Sequence, residues 1–116
     1  MTNTAVPNHT TGKPISLELA RNWTKNYSEK NPDSTKAHFF GRNIIERILA
    51  EDGCAGIRMY YATDEKGESQ LLLVGVDTEG NNLLPIDSKS IDEGNIVADY
   101  SWPCPSYCSP PPKGDL

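Results

Sequence analysis

Apolar residues recur at helical spacing near the start of the chain. Leu19, Trp23 and Tyr27 lie four residues apart, which places them on one side of a helix and predicts a buried stripe. The hydroxyl of Ser16 is suited to cap the first amides of this helix. Asn31-Pro32-Asp33 ends the helix, because proline cannot continue it.

A second helical pattern covers residues 34–51. Ser34 is a candidate N-cap, and the expected apolar face consists of Ala37, Phe40, Ile44, Ile45, Ile48 and Leu49. Gly41 falls inside this helix, where glycine costs about 1 kcal/mol relative to alanine, so another backbone is expected to pack closely there. Gly53 is suited to the left-handed position after the helix.

The pattern then changes from helix to strand. Residues 57–62 and 70–77 are rich in branched, aromatic and long apolar side chains, and the polar segment 64–68 separates them, which predicts a hairpin. The second of these strands is apolar on both faces, which is typical of a central strand in a sheet. Shorter strands are expected at residues 83–86 and 96–100.

These elements predict an α+β fold, with two N-terminal helices packed on a mostly antiparallel sheet of three or four strands. A chain of 116 residues has the size of one domain. Residues 1–14 are expected to be a flexible lead-in, residues 15–101 a single domain, and residues 102–116 a proline- and cysteine-rich tail.

The net charge of −5 is unevenly distributed. Residues 1–58 carry eight Lys and Arg against six Asp and Glu, whereas residues 59–116 carry three against ten. The acidic half should repel a phosphate backbone, so nucleic acid is not an expected partner. No apolar run approaches the roughly 20 residues that span a bilayer, and the first residues lack a secretory pattern, so we expect a cytoplasmic protein without membrane contact.

The tail carries two of the three cysteines, in Cys104-Pro105-Ser106-Tyr107-Cys108. This motif resembles the Cys-Pro-Tyr-Cys redox centre of glutaredoxins but has one additional residue between the cysteines. In such centres the N-terminus of a helix lowers the pKa of the nucleophilic thiol, whereas prolines follow here. Disulfide oxidoreductase activity is therefore not the leading expectation.

A metal site is the stronger chemical hypothesis for these cysteines. Cys104 and Cys108 have a spacing found in structural zinc sites, and Cys54 with His38 would complete a set of ligands for zinc or iron if the tail folded back. In the opposing interpretation, Cys54 is a small buried apolar side chain and the tail thiols are exposed or paired.

Four residues are candidates for ligand binding. His38 and Arg42 lie four residues apart on the second predicted helix and offer a small anion a switchable proton and a planar fork. The structural interpretation, which we favour, pairs Arg42 with Glu46. Arg58 and Tyr60 project from one side of their strand and form either a recognition surface or a solvated sheet face.

No nucleophile elbow, phosphate-binding glycine loop or zinc-hydrolase histidine pair is present in the sequence.

Four segments carry a resemblance: Ala37-His38-Phe39-Phe40-Gly41-Arg42, the run from Gly53 to Ala62, Leu72-Leu73-Val74-Gly75-Val76-Asp77, and Pro103-Cys104-Pro105. Their combination resembles a small family of uncharacterised bacterial proteins. The resemblance implies a bacterial, cytoplasmic origin and no particular activity, cofactor or partner.

The sequence thus predicts a small non-enzymatic binding or regulatory protein that uses its sheet and its proline-rich tail to contact a protein partner. An exposed edge strand would favour a homodimer. The alternative is a metal-binding or thiol-redox protein that uses Cys54, Cys104, Cys108 and His38.

Overall fold

The computed structural model describes residues 8–105, Cys108 and Leu116. In order along the chain, its elements are α1 (Leu17–Lys30), β1 (Ala37–Phe39), α2 (Arg42–Leu49), β2 (Cys54–Thr63), β3 (Ser69–Asp77), β4 (Val97–Ala98) and β5 (Trp102–Cys104). One antiparallel sheet contains β1 and β5, and a second has the order β2-β3-β4. The α+β class with two helices and antiparallel sheets is confirmed.

The described residues fall into two compact units. The first unit contains residues 40–100 together with residues 8–11, and therefore holds α2 and the three-stranded sheet. The second contains residues 12–39 and the described residues from 101 onward, and therefore holds α1 and the two-stranded sheet. Neither described helix is long and apolar enough to cross a membrane.

The core of the first unit lies between α2 and β3. Ile48 has 0% of its surface exposed and Leu73 has 1%, and together with Ile96 and Ala98 they form the central cluster. Partly buried side chains packed against this cluster are those of Phe40, Ile44, Ile45, Cys54, Ile57 and Leu71. Of the predicted apolar face of the second helix, Phe40, Ile44, Ile45 and Ile48 therefore belong to the core, whereas Ala37 and Leu49 are exposed and the helix itself is shorter than predicted.

The strand β3 is buried on both of its faces. Leu73 belongs to the central cluster, while its neighbour Val74 and, two residues on, Val76 are also buried and project from the opposite face. The strand lies between β2 and β4, so the predicted hairpin and the predicted central position are both confirmed.

Gly75 allows the end of α2 to approach β3 closely. A Cβ atom at this position would lie 2.8 Å from Oε1 of Glu51, 3.1 Å from Sγ of Cys54 and 3.3 Å from Cγ2 of Ile48. Gly41, for which close packing was predicted, has no atom within 4 Å of such a Cβ. That prediction is wrong because Gly41 precedes α2 as its N-cap rather than lying inside the helix.

The second helix begins later than its periodicity predicted. The segment Ala37–Phe39 is a strand, Ser34 caps no helix, and α2 begins only at Arg42. The reason is tertiary: β1 pairs with Trp102–Cys104, a partner that local periodicity does not include. Part of the predicted tail is therefore a strand, whereas residues 1–7, 106–107 and 109–115 lie outside the described structure.

The boundaries of α1 are confirmed, but its predicted buried stripe is wrong. Ser16 Oγ accepts a hydrogen bond from the Leu19 amide at 3.0 Å, and Asn31 is the C-cap. Nevertheless Leu19, Trp23 and Tyr27 are exposed, and α1 contains no buried residue. The four-residue spacing aligns these side chains on one face without supplying a surface that covers them.

The two remaining strand predictions hold only in part. Residues 83–86 form no strand; the preceding residue, Asn82, forms an isolated bridge with Val76, and the Leu83 amide donates to the carbonyl of Gly75 at 2.8 Å. Pro85 has no N–H with which to continue such a ladder. The strand expected at residues 96–100 is reduced to Val97–Ala98.

The Asp64 side chain organises the turn of the hairpin. Its Oδ1 accepts hydrogen bonds from the amides of Glu68 and Lys66, each at 2.9 Å. These contacts, chiefly the one from Glu68, lower the pKa of the Asp64 carboxyl. The acidic turn therefore fixes the hairpin geometry as well as carrying charge.

We predict that Ile48→Ala lowers the free energy of unfolding by about 2–5 kcal/mol, because it opens a cavity in the central cluster. The matched control is Leu49→Ala, since Leu49 is the neighbouring residue of α2 and is 47% exposed. Urea denaturation followed by far-ultraviolet circular dichroism measures both. Equal losses in the two variants would contradict the placement of the core.

Candidate functional site

Arg58 and Tyr60 are brought together by a third residue, Asn82. Nη1 of Arg58 donates to Oδ1 of Asn82 at 2.7 Å, and Nδ2 of Asn82 donates to the phenolic oxygen of Tyr60 at 2.7 Å. Nη1 of Arg58 also approaches the carbonyl oxygen of Gly80 at 3.4 Å. We refer to Arg58, Asn82 and Tyr60 as the Arg58 network.

The Arg58 network combines one positive charge with neutral hydrogen-bonding groups. The hydrogen bond from Asn82 is the largest effect that lowers the pKa of the Tyr60 phenol; desolvation opposes it, and Arg58 adds a further lowering through its hydrogen bond and charge. Among the described residues, the two ion pairs join Arg42 to Glu46 and Arg47 to Asp92, so neither neutralises Arg58. Within the described part of the chain, the half-buried Arg58 side chain therefore contacts neutral groups, namely the Asn82 side chain, the Gly80 carbonyl and the Tyr60 phenol.

A cleft of about 320 Å³ lies beside Arg58. Arg58 and Asp77 supply opposite charges, and the other lining residues are Asn8, His9, Thr11, Ala55, Gly56, Ile57 and Val76. We call it the Arg58 cleft. All of its lining residues belong to the first unit.

A bulge in β2 and a turn after β3 shape this cleft. Cys54 pairs with Asp77 and Gly56 pairs with Val76, which leaves Ala55 as the additional residue of β2. Oδ1 of Asp77 accepts hydrogen bonds from the amides of Glu79 and Asn81, each at 2.9 Å. The amide of Asn81 contributes most to lowering the pKa of the Asp77 carboxyl, so this group is held in its ionised form.

A larger cleft of about 680 Å³ lies in the loop between residues 84 and 95. Its carboxylates belong to Asp87, Asp92 and Glu93, and Arg47 forms an ion pair with Asp92 and donates from Nη2 to the Asp92 carbonyl at 3.0 Å. The cleft combines acidic groups with the exposed side chain of Ile86. No contact within the described chain indicates what would occupy it.

His38 and Arg42 lie in different elements. His38 is in β1 opposite Pro103, and its Nδ1 lies 2.8 Å from Oγ of Ser101. Arg42 is in the first turn of α2, and its Nη1 donates to Oε2 of Glu46 at 3.3 Å. The prediction that His38 and Arg42 share a helix face is wrong because His38 is in a strand, whereas the pairing of Arg42 with Glu46 is confirmed.

The three cysteines have two different environments. Cys104 and Cys108 are joined by a disulfide, and Ala37, adjacent to His38, lies opposite Cys104 in the two-stranded sheet. Cys54 is a free thiol packed against the central cluster, and its Sγ donates to the carbonyl of Gly56 at 3.2 Å.

A metal would require a different state of these side chains. Thiolates are the form of cysteine that binds zinc, and a disulfide offers none. Within the described part of the chain, no three or more His, Cys, Asp or Glu side chains are grouped for a metal ion. The set of Cys54, Cys104, Cys108 and His38 therefore stays a prediction for the reduced protein.

Sequence reasoning missed Asn82 and Asp77. Both lie at a turn that composition identifies, since Thr78-Glu79-Gly80-Asn81-Asn82 is rich in turn residues. However, Asn82 contacts Arg58 across 24 positions of the chain, and no local pattern encodes that contact. No protein-family model, no curated protein and no solved structure matches the chain.

Proposed function

We propose that this protein is a small non-enzymatic binding protein that associates with a second copy of itself through the free edge of β2. The observation that carries the proposal is the exposure of this edge. Among the strands of the described residues, β2 pairs with β3 alone, and Tyr61 near the end of β2 is 95% exposed. An unprotected edge strand is a template for pairing with another chain.

The hydrogen-bond pattern of the sheet indicates that backbone N–H and C=O groups of β2 point outward from that edge, where they could pair with another strand. The carbonyl of Gly75 accepts from the Leu83 amide and therefore points away from β2. Ile57 lies opposite Gly75, so in an antiparallel ladder its polar groups point away from β3. By the same alternation, Met59 and Tyr61 direct their amides and carbonyls outward.

The side chains along this edge favour a second copy as the occupant. In a symmetric pair of identical antiparallel strands, a charged group close to the two-fold axis lies near its own equivalent, which is unfavourable. The segment Met59-Tyr60-Tyr61-Ala62-Thr63 contains no charged residue, and the side chains of Met59 and Tyr61 are both exposed. Sulfur-aromatic and aromatic contacts between two copies would stabilise such a pair.

We expect the double variant Met59→Lys/Tyr61→Lys to raise the dissociation constant of the dimer by about tenfold or more, because like charges then oppose each other across the two strands. Sedimentation velocity over a range of concentrations measures it. Tyr100→Lys is the matched control, since Tyr100 is also 95% exposed and lies outside β2. A wild-type chain that stays monomeric at its highest attainable concentration would contradict the proposal.

The second candidate function is thiol chemistry at the end of β5. It is supported by the bonded pair Cys104 and Cys108, four positions apart, with Cys108 exposed. In this function two molecules of a small thiol reduce the disulfide and leave as their own disulfide, while Cys104 and Cys108 take up the two protons. The reduced thiols, with Cys54 and His38, are then the proposed ligands of zinc or iron.

We predict one reactive thiol per chain in the oxidised protein and three after treatment with a small dithiol, because Cys54 is free and the other two cysteines are bonded. A thiol-reactive chromophore in denaturant counts them, and Cys54→Ser should lower both counts by one. Three thiols before reduction would contradict the bonded pair.

Elemental analysis of the reduced, untagged protein after incubation with zinc or iron tests the metal-binding function. If neither metal is bound stoichiometrically, that function is contradicted.

A further inference from the structure

We propose that the Arg58 cleft binds the carboxylate group of a ligand, with Arg58 as its principal contact. This site lies on a face of the sheet rather than on the β2 edge, and it does not rest on self-association. Its ligand class follows from three features: the unpaired charge of Arg58, the charge of Asp77 and the size of the cleft.

The first feature is a cation without a counter-ion. A guanidinium has five N–H donors; Nη1 of Arg58 contacts Asn82 and Gly80, and the Arg58 side chain also hydrogen-bonds the Tyr60 phenol, so all of these partners are neutral. No carboxylate of the described chain forms an ion pair with it. Because partial burial penalises an unpaired charge, an anion in the cleft would be favoured.

The second feature selects a singly charged, planar anion. Asp77 also lines the cleft, and the amides of Glu79 and Asn81 hold its carboxyl in the ionised form. A doubly charged phosphate would be repelled by this neighbour more strongly than a singly charged carboxylate. The planar fork of Arg58 matches the two oxygens of a carboxylate.

The third feature is size and support. A volume of about 320 Å³ is at the lower end of the range for ligand pockets, so it suits a group of amino-acid dimensions. Asn82 restrains Arg58 and is itself restrained by Tyr60, at 2.7 Å for each contact. Tyr60 is therefore a positioning residue, which acts on the ligand through Asn82 and Arg58.

The test is a titration of the full-length, nitrogen-15-labelled protein followed by amide chemical shifts. The probes are sodium acetate, N-acetyl-triglycine, the C-terminal amide of N-acetyl-triglycine, and inorganic phosphate, all at constant ionic strength. We expect acetate and N-acetyl-triglycine to produce saturable shifts at residues 55–58. We expect Arg58→Gln to weaken this binding about tenfold or more, and Arg58→Lys to weaken it less, because lysine keeps the charge and loses the fork.

Arg42→Gln is the matched control and should leave binding unchanged, because Arg42 is exposed and already paired with Glu46. Tyr60→Phe should weaken binding a few-fold while leaving the backbone intact, so it keeps the proposal testable if Arg58→Gln does not fold. Tighter binding of N-acetyl-triglycine than of acetate would identify a peptide C-terminus as the source of the carboxylate. Equal affinity would identify a small free carboxylate.

Three results would overturn the assignment. The first is the absence of saturable shifts at residues 55–58 with either carboxylate. The second is unchanged affinity in both Arg58→Gln and Arg58→Lys. The third is binding of phosphate, or of the C-terminal amide, as tightly as the matching carboxylate.

Discussion

The burial of β3 on both faces is the constraint on which the first unit depends. On one face Leu73 packs in the central cluster with Ile48 of α2, and on the other Val74 and Val76 are buried. Gly75 has no side chain, and the end of α2 uses the space that a side chain would need. Close packing of this kind is sensitive to small changes in volume, so α2 and β3 specify each other's position.

The same constraint leaves the outer strand available for binding. Since β3 provides the buried apolar surface, β2 can carry polar and exposed aromatic groups without loss of the core. Its outward edge supports the proposed self-association, and its Arg58 side supports the proposed carboxylate site. Glu51 adds a link to the start of β4, because its Oε2 accepts the Ile96 amide at 2.9 Å, while its Oε1 is buried without a hydrogen-bond partner in the described chain.

Local signals predicted the elements that local interactions determine. The Ser16 cap, the Asp64 turn and the hairpin all involve contacts between residues close in sequence, and each is present. The pairing of β1 with β5 was not predictable in this way, because its two strands are distant in sequence, with His38 opposite Pro103. The helical periodicity of Ala37–Phe39 carries no information about β5, and pairing with β5 determines that these residues form a strand.

The same distinction between local contacts, which the sequence predicts, and tertiary contacts, which it does not, applies to the candidate site. Strand alternation placed Arg58 and Tyr60 on one side of β2, whereas Asn82 contacts both, and Asn8, His9 and Thr11 line the cleft beside Arg58, through tertiary structure. His38 illustrates the opposite case, since a wrong helix assignment gave it a wrong neighbour, and its contact is Ser101. The chemical type of each candidate residue could thus be identified from the sequence. Which of these residues lie close together could be predicted only where the local backbone geometry was assigned correctly.

Amide hydrogen exchange of the native protein tests the central claim most directly. If the packing of α2 on β3 is the foundation of the structure, the amides of Leu73 and Val74 should exchange slowest, and those of α1, which has no buried residue, should exchange orders of magnitude faster. Exchange from α1 as slow as that from β3 would contradict the account, because it would require the Trp23 face to be covered.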